Sequence, residues 1–197
     1  NDAKEYGSLL NVESYDWELL GRFVESSNTE GQISFDTYGL EETVEKLKRL
    51  IRIGKVMAQK YEVVVTNPPY AGTSNLSAKV NNFVKKNYPD SKADLFAVFI
   101  ERCGEMLKKN GYQAMITQHS WMFIGSFEKL RNKMLNCNLI NMVHLGIKAF
   151  EEIGNDVVQT CSFIYQKNKK NNYLTKFVRL VEYKSYSEKA KEFFNTH

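Results

Sequence analysis

At 197 residues, 43% of them hydrophobic and 25% charged, the chain is long enough for one medium domain with a real core. It has no stretch near the ~20 apolar residues that cross a bilayer and no basic-then-apolar leader. Cys103, Cys137 and Cys161 are too few and too scattered for a disulfide framework or a zinc site, so a reducing cytoplasm is expected. The net charge of +4 is uneven: residues 1–50 carry eleven acidic against five basic residues, and residues 167–197 carry eight basic against three acidic. A basic end attracts phosphate, and it is also what an ordinary solvated tail looks like.

The chain opens at Asn1 rather than Met, which leads us to expect either processing or a piece cut from something longer. Leu9 to Phe35 reads as mixed and polar, with loops at Ser26-Ser27-Asn28 and Glu30-Gly31. Leu40, Val44, Leu47 and Ile51 recur at helical spacing, and Met57 extends that face. Tyr61 to Thr66 contains Val63-Val64-Val65, a short β-branched run apolar on both sides, which predicts a buried strand of a parallel sheet. After a polar loop, Ser91 with Asp94 three residues later predicts a capping box. The helix it opens has a stripe of Leu95, Phe96, Phe99, Cys103, Met106 and Leu107 and stops at Asn110-Gly111. Tyr112–Thr117, Leu139–Leu145 and Val157–Tyr165 read as strands, with a helix at Phe127–Leu135 between the first two. Tyr173–Tyr183 reads as a last strand, and a charged helical tail follows. Such alternation predicts an α/β fold, a mainly parallel sheet with helices on both faces.

The chemistry concentrates at Asn67-Pro68-Pro69-Tyr70, directly after the first strand, where two of the three prolines sit side by side. Proline lacks an N–H and fixes φ, so the pair stops the strand and stiffens the loop at its carboxyl end. In open α/β sheets that edge is where ligands bind. The Asn67 amide oxygen and the Pro68 carbonyl are two acceptors that match the two N–H donors of an exocyclic amine. Tyr70 offers a flat ring on which a base can stack. A structural turn closed by an Asx hydrogen bond is the plain alternative for four residues alone.

With that motif after a β-branched strand, the sequence resembles the amino-methylating DNA methyltransferases. Within them it resembles the adenine-N6 branch, whose catalytic motif is Asn-Pro-Pro-Tyr. The likeness runs from Tyr61 to Tyr165. It implies a Rossmann-like S-adenosylmethionine-dependent fold in which Tyr61–Thr66 is the fourth strand. It also implies catalytic roles for Asn67, Pro68, Pro69 and Tyr70, contact with the cofactor adenine by Phe99, and contact with a flipped base by Phe150 opposite Tyr70. Gln118-His119-Ser120-Trp121 sits where the family turns out of its fifth strand. The region before Tyr61 resembles the large methyltransferases of bacterial phage-exclusion and fused restriction–modification systems. The partners so implied are double-stranded DNA with a flipped adenine, the remainder of the parent polypeptide and other defence-system subunits.

The likeness divides the chain into an upstream segment, 1–60, a catalytic core, 61–166, and a basic extension, 167–197. Family members carry a Gly-rich turn after the first strand. Here eleven glycines include no G-x-G, so the fold is expected to be incomplete on its N-terminal side and to bind cofactor poorly alone. Other signals have plain readings: Asp94 as a cap, His119 and His144 as core or loop histidines, Trp121 and Met122 as core. Glu182-Tyr183-Lys184 has the look of a nuclease end, but its only Pro-Asp partner, Pro89-Asp90, is over ninety residues away. Lys167, Lys169 and Lys170 point either towards DNA or to a solvated loop. Methylation of protein glutamine or RNA, which also uses Asn-Pro-Pro-Tyr, is the competing activity, although Ala71-Gly72-Thr73 follows where the glutamine enzymes continue with Ile-Pro. A non-catalytic DNA-binding or scaffold module is the third reading.

Overall fold

A computed structural model describes residues 3–26, 37–149 and 158–195. Phe150 and Val157 lie outside them. The chain divides into two compact units, residues 1–59 and 60–197.

The first unit is helical: α1 (Ala3–Tyr6), α2 (Trp17–Ser26) and α3 (Thr37–Ala58). The stretch read as mixed and polar therefore contains a helix, and Val24 is its buried residue. Trp17 closes on α3 so tightly that a Cβ at Gly54 would stand 2.8 Å from its ring. On α3 the expected face is only partly used, with Val44 buried and Leu47 exposed.

The second unit is a five-stranded sheet with helices. In chain order it contains β1 (Tyr61–Thr66), α4 (Ala78–Asn87), α5 (Leu95–Met106), β2 (Leu107–Gln118) and α6 (Glu128–Leu135). β3 (Asn138–Gly146), β4 (Thr160–Gln166), β5 (Lys176–Arg179) and α7 (Tyr186–Asn195) complete it. The spatial order is β1-β2-β4-β3-β5. β1 pairs parallel with β2 and β3 parallel with β5, while β4 runs antiparallel to both β2 and β3. Four strands thus share one direction and β4 alone is reversed. The sheet is mixed, although its dominant direction is the parallel one expected.

Phe96, Ile100, Leu130, Met115, Met142 and Phe163 form the centre of the core, so α5 and α6 pack against one and the same sheet face. β1 is not the doubly buried strand that its valines predict. It closes one end of the described sheet: Val64 packs on the core, whereas Val63 and Val65 are 56% and 71% exposed on the opposite face. Among the described residues, helices on both faces are therefore not seen at β1.

Two boundaries differ for local reasons. Asn110-Gly111 does not end a helix. α5 already stops at Met106, and Asn110, with a left-handed φ of 66°, sits inside β2 where the register with β1 slips between Tyr61↔Leu107 and Val63↔Tyr112. Ser91 is not a cap either: its hydroxyl donates to Glu101 at 2.6 Å, and Asp94 is itself the N-cap of α5, accepting from the Phe96 N–H at 3.2 Å. The polar loop also holds a helix, α4, capped by Ser77. Among the described residues no helix is long and apolar enough to cross a membrane.

Candidate active site at the carboxyl edge of the sheet

β1 ends at Thr66, which pairs with Met115, while β2 runs on for three more residues. The next four residues of the chain, Asn67 to Tyr70, leave the sheet at this carboxyl edge with no cis peptide bond. Asn67 and Pro69 are exposed, Pro68 is buried and Tyr70 is half-buried. Burying one proline and freeing the amide beside it is how the rigid pair aims Asn67 outward. Its oxygen accepts a hydrogen bond from the Tyr70 hydroxyl.

Tyr70 is fixed on three sides. Its ring meets Phe96 edge-to-face, with centroids 6.2 Å apart. Its hydroxyl is shared between Asn67 Oδ1 at 3.3 Å and the Ile116 carbonyl at 3.4 Å. Both distances are at the long end for such bonds, so the ring is held while Asn67 keeps most of its acceptor capacity. Burial, with Cys161 nearby, pushes the phenol up to about 12, and Tyr70 is a neutral donor at any working pH.

The loop beyond the motif is tied to helix α5. Asp94 Oδ1 accepts from the Ala71 N–H at 3.1 Å as well as from Phe96. The Leu95 N–H donates back to the Ala71 carbonyl at 2.9 Å, and Gly72 and Asp94 form an isolated antiparallel bridge. Burial raises the Asp94 carboxyl, opposed by its backbone N–H donors. One carboxylate thus joins the motif loop to the helix that carries Phe99. Phe99 lies one turn inside that helix, partly buried against the core.

Sequence reasoning missed a second feature on this edge. His119, just after β2, and His144, near the end of β3, meet with Nδ1 of the first 2.9 Å from Nε2 of the second. They are 25 residues apart, and the strand order β2-β4-β3 brings the ends of their strands to the same level on either side of β4. Burial lowers both imidazoles, His144 further through His119, Arg179 and Lys189. Among the described residues no cluster of three or more metal-ligating side chains forms.

The remaining candidates separate from the site. Trp121 is core, and Met122 packs partly against it. Lys167 donates to the carbonyls of Gly104 and Leu107 at the end of α5, and Lys169 to the Leu135 carbonyl at the end of α6. These lysines follow the last residue of β4, which pairs with Tyr112, so they sit at the edge opposite Asn67. Asp90 is paired with Lys133 at 2.6 Å and Glu182 with Arg179, so the two halves of a nuclease pattern are engaged on different elements. A cavity of about 590 Å³, walled by Trp121, Met134, Met142, Tyr165 and Phe177, includes none of the motif residues.

Comparison with known proteins identifies the family. The profile of the Eco57I restriction-modification methylases matches residues 9–150. The chain belongs to that family. The adenine-specific methyltransferase PglX of Lacticaseibacillus casei (strain Zhang) is 45% identical over 193 residues, covering 97% of this chain and 16% of that protein. The adenine-specific methyltransferase BrxX of Escherichia coli O9:H4 (strain HS) is 39% identical over 184 residues, 91% of this chain and 15% of that protein. Our Eco57I-family chain therefore spans about one sixth of the length of these relatives. Among solved structures, the DrdV–DNA complex superposes with a TM-score of 0.57 at 16% identity, over 73% of this chain and 17% of that one. At that identity the likeness speaks for the fold, which is the Rossmann-like one of this family.

Proposed function

We propose that this chain carries the amine-binding half of an adenine-N6 DNA methyltransferase active in a restriction–modification or phage-defence system. The observation that carries the reading is the exposed Asn67, whose amide oxygen accepts from the half-buried Tyr70, with that ring held by Phe96 and Ile116 and the next residue, Ala71, by Asp94. In this reading Asn67 Oδ1 and the Pro68 carbonyl accept the two N–H bonds of the adenine amine. Taking up those hydrogens draws the nitrogen lone pair out of conjugation with the ring and fixes its direction of attack, so the contribution is positioning and preorganised electrostatics. Asn67 Oδ1 has two lone pairs: one faces Tyr70 and one is left for the substrate. Tyr70 stacks on the base, which must leave the duplex for N6 to be reached. Neither acceptor is a base, and the proton released from N6 departs to water from its contact with Asn67. Phe150 is the proposed second wall for the base.

S-adenosylmethionine supplies an electrophilic sulfonium methyl group when bound. The residues here fit part of its site: Phe99 offers an apolar ring on the helix that Asp94 bonds to the motif loop. We assign Phe99 to the cofactor adenine and the glycine-dependent contacts to chain outside residues 1–197. The proposed partners are double-stranded DNA, the rest of the parent polypeptide and further defence-system subunits. Within the chain, residues 1–60 form an upstream segment, 61–166 the catalytic core and 167–197 a basic extension.

The test is tritiated methyl transfer by the full-length protein to unmethylated DNA, with Asn67→Ala beside it. Labelled N6-methyladenine from the unaltered protein, and at least a ~100-fold loss in a normally folded Asn67→Ala, is expected, by analogy with losing one preorganised polar contact. Label in protein or RNA but not in DNA would overturn the reading, as would undiminished transfer by the variant.

A further inference from the structure

A second aromatic platform stands on the same sheet edge. Three residues after Ile116, whose carbonyl receives the Tyr70 hydroxyl, the chain turns through His119 to Met122 and presents Phe123 and Ile124 to solvent, 63% and 50% exposed. Phe123 packs on both histidines: its centroid is 5.4 Å from that of His119 and 5.9 Å from that of His144. The two imidazoles are themselves 5.1 Å apart and share the 2.9 Å hydrogen bond, which locks each ring in place.

The turn beneath is built for rigidity. Arg131 Nη1 donates to the Trp121 and Ile124 carbonyls at 2.8 and 2.7 Å, bracketing Phe123 from both sides. Buried Trp121 anchors the turn through its Nε1–H to Thr117 Oγ1 at 3.2 Å. The His119 N–H is held by the Gln159 carbonyl at 3.0 Å, and both the Phe123 and Ile124 N–H groups by that of Ser120. A guanidinium and a buried indole thus hold an apolar ring outward, where burial of apolar surface alone would have turned it inward. The charges that act on the cluster are cations, Arg179 and Lys189. Arg179 is tied to Glu182, and the Lys189 amine is taken by the Leu145 and Leu180 carbonyls.

We propose that Phe123, seated on the His119–His144 pair, stacks on a nucleobase of the DNA substrate left exposed when the target adenine leaves the helix. The inference rests on the proposed adenine methylation. Three properties favour a base as the occupant. The ring lies on the edge that carries Tyr70. Its seat is aromatic and uncharged. The ring is also preorganised, which suits stacking, since a gap opened in the duplex is closed by an apolar side chain at lower cost than by water.

The experiment uses the full-length protein and first maps its methylated sites by sequencing genomic DNA from an expressing strain. A duplex containing one such site is then methylated by Phe123→Ala, Phe123→Leu and Phe123→Trp. The same duplex with 2-aminopurine in place of the target adenine reports base extrusion by its fluorescence. Stacking predicts a roughly ten- to hundred-fold fall in kcat/KM for the alanine variant and a smaller 2-aminopurine signal. Leucine should remain low and tryptophan should recover. Alanine within about two-fold of the unaltered protein, or leucine as active as tryptophan, overturns the inference and leaves the methylation reading intact. No methylation by the unaltered protein overturns both.

Discussion

Asn67 shows how far a single side chain can be read from its neighbours in sequence. Two prolines and a preceding β-branched strand are local facts, and they suffice to place an amide at a sheet edge. The structure finds it there, exposed, with Tyr70 at hydrogen-bonding distance. Asp94 was legible only in kind. Its spacing from Ser91 suggested a capping role, but its bond to Ala71 joins positions 23 residues apart, which no local pattern encodes. The His119–His144 pair was invisible for the same reason, being made by strand order. It has a measurable consequence. Both imidazoles titrate below their ordinary value, so between the folded and the unfolded pKa the unfolded chain binds more protons. Their contribution to stability is therefore complete above about pH 6.5 and is lost as the pH falls through that value towards the folded pKa. Arg179 and Lys189, which face His144, deepen the loss. Urea midpoints measured from neutral to mildly acidic pH should fall on acidification, and His144→Phe should flatten that slope. An unchanged slope would show that other groups set it.

Helices and strands were legible where an apolar period ran uninterrupted, as in α5 and β3, and illegible where it was short. α4 has one fully buried residue, Val84, among lysines and asparagines, so its stripe is too thin to count. Asn110-Gly111 is ordinary helix-stop chemistry, yet the same left-handed freedom serves an irregular β2, and only the partner strand decides between the two. The packing of α5 on β4 passes through Gly104. A Cβ there would lie 2.5 Å from the Tyr165 hydroxyl, which is itself bonded to the buried Gln113 amide. Gly104→Ala should therefore cost about 1–3 kcal/mol of overpacking, despite the better helix propensity of alanine. Tyr165→Phe removes the obstructing oxygen, so the double variant should lose less than the sum of the two singles. Chemical denaturation of the four proteins measures the difference, and strict additivity would mean the two side chains do not meet.

For the molecule as a whole, the alternation of strands and helices disclosed an α/β sheet, and it could not disclose that one strand is reversed. Nor could it show that β1 ends the described sheet, since Val63-Val64-Val65 reads alike in a central strand and in one whose outer face is bare. The bare face matters for behaviour in solution. A strand at one end of the described sheet with exposed valines is a template for pairing with another chain. The 197-residue chain is expected to self-associate as its concentration rises, and Val65→Lys to reduce this without altering the core, because Val65 is 71% exposed. Sedimentation of the two proteins at matched concentrations decides it: equal association would place the contact elsewhere.

The reversal of β4 has one more effect. Because β3 ends and β4 begins at the carboxyl edge, with Gly146 facing Thr160, the chain departs from and re-enters the sheet on the side that carries Asn67. A link anchored in that way can gain or lose residues at small entropic cost and without shifting any strand. Evolution, or a protein engineer, can thus vary the length of that link while the pair of prolines and the amide it aims stay where they are.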